Sequence, residues 1–248
     1  MVAPREVRIL DSPEDLFRTA VDEFVRLATD AVRDRGKFSV ALSGGSTPKT
    51  LYQRLAVLPA GTVPWDKTYF FWGDERHVPV DHPDSNYRMA FEALLSKVPV
   101  PRENIFRVHS EAADANAAAH AYEQTIRSFF QLKAGEFPRF DLILLGTGPD
   151  GHTASLFPGS AGLEEKNRLA IANWVEKFQT ERLTFTMPVL NHARNVIFLA
   201  SGHEKAAVLK QILEEDVTPP LPSQLVRPAD GRLLWLVDRA AAAALKHE

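Results

Sequence analysis

"FSVALSGGSTPKTLYQRL", residues 38–55, decides how the chain folds. An apolar run, Phe38 to Leu42, breaks off at two glycines set among hydroxyls, and a helical pattern then opens through a proline. A short run of this kind fits a strand covered on both faces, as in a parallel sheet. Pro48 suits the first helical position, with Ser46 or Thr47 as the cap before it. If 38–42 is such a strand, Ser43, Gly44, Gly45, Ser46 and Thr47 lie at its carboxyl end, where α/β sheets bind ligands. Glycines let the backbone approach a ligand closely. The free amides and positive dipole end of the following helix attract an anion. Turn chemistry explains each of these residues separately as well. The loop alone therefore leaves both readings open. It is not a Walker loop, which ends in Gly-Lys-Ser/Thr.

Similar runs recur at 6–10, 68–72, 104–108, 140–146, 195–200 and 233–237. Helical patterns separate most of them. Residues 12–35 open with Ser-Pro-Glu-Asp, a cap followed by proline and acids, and then repeat apolar residues at helical spacing. Residues 85–95, 112–132 and 204–213 behave likewise. Alternating strands and helices predict an α/β, doubly wound, mainly parallel sheet with helices on both faces. Residues 169–186 differ: two β-type runs around a polar connection suggest an antiparallel excursion at a sheet edge. "TPPLPSQLVRP" (218–228) reads as an ordered loop returning to the last strand. Nothing splits the chain, so one domain over 1–248 is expected.

The totals narrow the function classes. The chain has 248 residues, 45% of them hydrophobic, and a formal net charge of −3. That charge gives no bias toward nucleic acid or an anionic membrane surface. The chain contains 0 cysteines, which removes thiolate metal sites, disulfides and a cysteine nucleophile. No leader and no apolar run of membrane-spanning length stand out, so a cytoplasmic location is expected. No large apolar stripe stands out either, which favours a monomer.

The second glycine-rich turn, "GTGPDGHTASLFPG" (146–159), follows a strongly apolar strand. Gly146, Gly148 and Gly151 satisfy Gly-x-Gly-x-x-Gly, but Pro149 removes an amide and Asp150 sets a carboxylate where a pyrophosphate would lie. A base fits better. His152 is the side chain best suited to exchange a proton near neutral pH, and Asp150, two residues earlier, can orient it. In a parallel sheet this turn opens on the same rim as Ser43–Thr47. Two further rim segments add charge. Asp74, Glu75 and Arg76 follow the strand 68–72, where Asp74 and Arg76 are candidate substrate contacts. Arg76 suits a phosphate or an oxyanion, and an internal ion-pair cluster is the alternative. Asp74, His77, Asp81 and His82 match no metal-ligand spacing. Lys205 lies in the first turn of a helix, where a cation makes sense beside a bound anion.

Together "LSGGSTP" (42–48), "WGDERHVPVDHPDSNY" (72–87) and "LLGTGPDGHTASLFPGS" (144–160) resemble the 6-phosphogluconolactonases, in the family's order and over essentially the whole chain. The resemblance implies a Rossmann-like fold and hydrolysis of 6-phospho-D-glucono-1,5-lactone, a small sugar phosphate, with no metal or organic cofactor. It implies a phosphate seat at Ser43–Thr47 with Lys205, and a base at His152 oriented by Asp150. The related glucosamine-6-phosphate deaminases carry an acid five residues beyond the histidine. Phe157 stands there instead and cannot transfer a proton. A non-catalytic sugar-phosphate sensor is the remaining alternative.

Overall fold

The computed structural model describes residues 5–246. In chain order the elements are β1 (Arg5–Leu10), α1 (Pro13–Arg35), β2 (Phe38–Leu42), α2 (Ser46–Leu55), β3 (Thr68–Trp72), β4 (Asp74–Arg76), α3 (Asn86–Ala90), α4 (Ala115–Phe130), β5 (Leu142–Leu145), β6 (Ala170–Val175), β7 (Thr180–Phe185), α5 (Met187–His192), β8 (Asn195–Ala200), α6 (Ala206–Glu214), α7 (Pro222–Leu225) and β9 (Arg232–Asp238). Six strands form a parallel sheet in the order β1-β9-β8-β5-β2-β3. Every residue of β2 and β5 is buried, the mark of strands covered on both faces. This is the doubly wound α/β architecture the sequence predicts.

The topology locates a crevice. β2 hands the chain to β3 on one side, whereas β5 hands it eventually to β8 on the other. β2 and β5 are themselves neighbours, with Val40 opposite Leu142 and Ala41 opposite Ile143. Connections that diverge from adjacent parallel strands leave a cleft at their carboxyl ends. The turns after β2 and β5, Ser43–Thr47 and Gly146–His152, bound that cleft.

Several local expectations are corrected. Residues 104–108 form no strand; a tight turn at Arg102–Asn104 leaves only Ile105 to bridge Phe70. The excursion at 169–186 is an antiparallel hairpin, β6–β7, but it does not extend the parallel sheet. It pairs instead with β4, which the sequence reading missed, to make a separate three-stranded sheet. Within 218–228, Pro222 starts the short helix α7. α2 begins at Ser46, so its cap is Gly45 and Pro48 sits in the third helical position. Gly45 has φ +103°, a left-handed conformation that starts the helix one residue earlier than a serine cap would.

α1 follows its sequence signals. Ser12 Oγ accepts from the Asp15 amide at 3.2 Å, Pro13 opens the helix, and Gly36 ends it at φ +75°. Its buried Glu23 links three elements, accepting from Arg8 of β1 at 3.0 Å, Arg26 at 2.6 Å and Arg232 of β9 at 2.8 Å. Burial alone would raise this carboxyl, but the guanidiniums, Arg232 foremost, outweigh it and bring it from 4.5 to about 2. A depressed carboxylate contributes stability that is complete above its unfolded value and lost as pH falls toward its folded value. Glu23→Gln should therefore cost on the order of 2 kcal/mol at pH 7. It should also flatten the decline of stability between about pH 4.5 and pH 2, followed by urea unfolding across that range.

Candidate active site

The first turn is held rigid from behind. Tyr52 of α2 donates its hydroxyl to the Ser43 carbonyl and accepts from the Ser43 amide, both at 2.9 Å. With Gly45 as cap, no side chain satisfies the first amides of α2, and Lys49 is the first to reach back, to the Gly45 carbonyl at 3.1 Å. Ser43 Oγ is buried and has no hydrogen-bond partner among the described residues. Free amides and an unpaired hydroxyl at one helix start are what an anion seat requires. Gly44 is needed for a different reason: a Cβ there would lie 1.9 Å from Asn86 Oδ1. Asn86, which the sequence reading did not single out, is in turn fixed by donating to the Asp74 carbonyl at 2.9 Å.

The alternative reading after β3, an internal ion-pair cluster, is not what forms there. Glu75 is buried and accepts from the amides of Arg76, Asn86 and Tyr87 at 2.7–2.8 Å and from Ser85 Oγ. Burial pushes its carboxyl up. Asp74, a candidate substrate contact, is also buried, and its carboxylate accepts from Ser155 Oγ at 2.7 Å. It ties β4 to the second turn. Nor do Asp74, His77, Asp81 and His82 converge: His77 Nε2 rests on the Ala112 carbonyl and His82 Nδ1 on the Asp84 amide. Among the described residues no cluster of three or more His, Cys, Asp or Glu is placed to hold a metal ion.

Arg76 gains a partner that the sequence did not suggest. Register sets Arg182 of β7 directly opposite it. Like charges so placed repel. Burial first and then Arg76 lower the Arg182 guanidinium from its ordinary value. The Nε atoms of both arginines are buried without hydrogen-bond partners among the described residues, although Arg76 Nη1 donates to the Asp84 carbonyl at 2.5 Å. Arg182 also packs on the Phe178 ring at 4.9 Å.

The second turn brings the expected pair together. Asp150 Oδ1 lies 2.5 Å from His152 Nδ1. Burial by itself would raise Asp150, yet its contacts with His152 and Lys177 prevail and hold it below its usual range. The opposite ring nitrogen, Nε2, makes no hydrogen bond to any described residue, while Phe157 stacks on the imidazole at 4.1 Å. Gly148 makes room, since a Cβ there would lie 2.1 Å from the ring. No helix follows this turn, unlike a dinucleotide-binding loop. Lys205 sits in the turn preceding α6, with Nζ donating to the Thr147 carbonyl at 2.9 Å. Asp238, at the end of β9, secures that turn through the Gly202 amide. Ser223 of α7 ties down the loop from below, donating to the Gly151 carbonyl at 2.9 Å, with its oxygen 3.0 Å from the Thr147 hydroxyl.

The sequence matches the family model described as glucosamine-6-phosphate isomerases/6-phosphogluconolactonase over residues 11–235. The chain belongs to this family. A 6-phosphogluconolactonase of Synechocystis sp. is 44% identical over 97% of this chain and 98% of its own length. The 6-phosphogluconolactonase of Homo sapiens is 40% identical over 98% of this chain and 95% of its own. The solved 6-phosphogluconolactonase from Trypanosoma cruzi superposes with a TM-score of 0.87 at 33% identity, covering 100% of this chain and 99% of that one. Within the glucosamine-6-phosphate isomerase/6-phosphogluconolactonase family, two chemistries share one scaffold, and the residues lining the cleft must distinguish them.

Proposed function

We propose that this protein hydrolyses 6-phosphogluconolactone to 6-phosphogluconate, the lactone-opening step of the pentose phosphate pathway. The observation that carries this reading is the His152 ring. Asp150 orients it through Nδ1, Phe157 backs it, and Nε2 makes no hydrogen bond to any described residue. Lactone opening needs one group that takes a proton from water and returns one to the ring oxygen. A deaminase needs a second acid for ring opening, and Phe157 occupies its place with a hydrocarbon face packed on the imidazole.

In this mechanism His152 Nε2 removes a proton as water attacks C1. The tetrahedral oxyanion collapses, the C1–ring-oxygen bond breaks, and the same nitrogen protonates the departing oxygen. Asp150 holds the ring and stabilises its transient positive charge. The amides and hydroxyls of Ser43–Thr47, with Lys205, hold the phosphate. Arg182 and Arg76, paired across β4 and β7, add a second cationic group for it. We assign Arg76 to the phosphate rather than the oxyanion, because two facing guanidiniums are relieved by a shared dianion. Binding at this remote group orients C1 toward the base.

Freshly prepared 6-phosphogluconolactone should disappear faster with the protein than without it, and glucosamine 6-phosphate should release no ammonia. The reverse pattern overturns the reading in favour of the deaminase. Sugar-phosphate binding without turnover of either compound favours a sensor. Arg182→Ala removes a charge-assisted contact of about 1.5–3 kcal/mol, so kcat/KM should fall about 10–100-fold, mostly through KM. Steady-state kinetics corrected for spontaneous hydrolysis test this, and an unchanged KM removes Arg182 from the phosphate site.

A further inference from the structure

The hairpin β6–β7 belongs to neither glycine-rich turn, yet its tip reaches the base. Lys177 Nζ lies 3.3 Å from Asp150 Oδ2, the oxygen that His152 does not use. Phe178, next in the chain, meets the edge of Phe157 with centroids 6.0 Å apart, and Phe157 covers His152. A groove of about 560 Å³ separates the hairpin from the turn 157–161, with Asp150, Phe157, Trp174 and Lys177 in its walls. The Lys177 contact is thus set by the docking of a whole hairpin, independently of the loop that carries the base.

We propose that Lys177 is a positioning residue for the general base: by holding the outer oxygen of Asp150 it keeps His152 in its neutral, proton-accepting form. This rests on the reading of His152 as the base. A carboxylate 2.5 Å from Nδ1 orients the ring, but it also favours the imidazolium, which cannot accept a proton. The two effects need to be separated. A cation on the far carboxylate oxygen leaves the orienting contact intact and offsets the negative charge that the ring feels. The neighbouring charges have other attachments. Glu176 accepts from the Trp174 indole and the Gln179 amide, and Arg182 lies on Phe178. Lys205 is on the Thr147 carbonyl, Asp74 is on Ser155, and Arg76 is on the Asp84 carbonyl. Lys177 is the cation hydrogen-bonded to the carboxylate that touches the ring.

The test is the titration of His152 followed by NMR through its ring C–H signals, assigned by their loss in His152→Asn. Lys177 is about half exposed, so its influence has the size of a partly solvated ion pair. In Lys177→Met the His152 midpoint should rise by about 0.5 pH unit, and Lys177→Arg should restore it. The acid limb of kcat should move by the same amount, lowering turnover about threefold below the midpoint and leaving the plateau above it unchanged. An unmoved or lowered midpoint overturns the proposal, as does a kcat reduced equally at every pH, which marks a merely structural contact. If neither wild type nor variant opens the lactone, the proposed activity fails, while the NMR titration still decides whether Lys177 governs the charge on His152.

Discussion

His152→Ala is expected to lower kcat on 6-phosphogluconolactone by about 10²–10⁴-fold, the usual contribution of one general base. KM should change little, because the groups proposed to hold the phosphate lie on other elements, in Ser43–Thr47, Lys205, Arg76 and Arg182. The variant should also stay folded. The loop is pinned by backbone, with the Gly148 amide on the His152 carbonyl at 3.0 Å and the Ser223 amide on the Gly151 carbonyl at 3.0 Å. Neither bond involves the imidazole. The loss therefore reads as lost proton transfer, provided the circular dichroism and melting temperature match the wild type. Wild-type turnover in the variant would leave the lactonase reading standing and remove His152 from it. A raised KM with unchanged kcat would move His152 to substrate binding instead.

The sequence disclosed the site unevenly, and the reasons are physical. The Ser43–Thr47 turn and the Asp150/His152 pair are local: a few consecutive residues make each, so glycine placement and residue type announce them. Strand ends in a parallel sheet gather on one rim, so their meeting was legible too. Long-range pairing was not. Nothing in "DER" marks a strand, because β4 exists only through its pairing with β7, more than a hundred residues later. Without β4, Arg76 reads only as a candidate anion contact or a member of an ion-pair cluster, and nothing local sets Arg182 beside it. The tie of Asp74 to Ser155 was hidden for the same reason, since Ser155 comes from the opposite turn. The one readable hint was Arg182 itself, a charge inside the otherwise β-forming "RLTF". The cap of α2 misled for a subtler reason. Serine and threonine are the preferred caps, but a glycine with positive φ does the same work and leaves the hydroxyls free.

Gly148→Ala should disable the same chemistry without touching a polar group. Gly148 is not among the glycines with positive φ, so an alanine meets no backbone penalty there. The obstacle is the site itself. A Cβ would lie 2.1 Å from both Cε1 and Nδ1 of His152 and 2.8 Å from Asp150 Oδ1. The ring must shift by an ångström or more, which breaks its contact with Asp150 and swings Nε2 off the line to C1. Misplacement of that size costs about 10²-fold in kcat. Gly151→Ala is a useful contrast. Its φ of +74° and the Leu221 side chain 2.8 Å away make it a folding mutation, whose main effect should be on melting temperature. The sharpest reading comes from combination. If Gly148 acts only by clearing space for the imidazole, then Gly148→Ala introduced into His152→Ala should cost almost nothing further. Two changes that remove one function are not additive. A second full loss on top of the first would mean that Gly148 serves the substrate directly, through its amide or by close approach, and that the turn contributes more to the reaction than the base it carries.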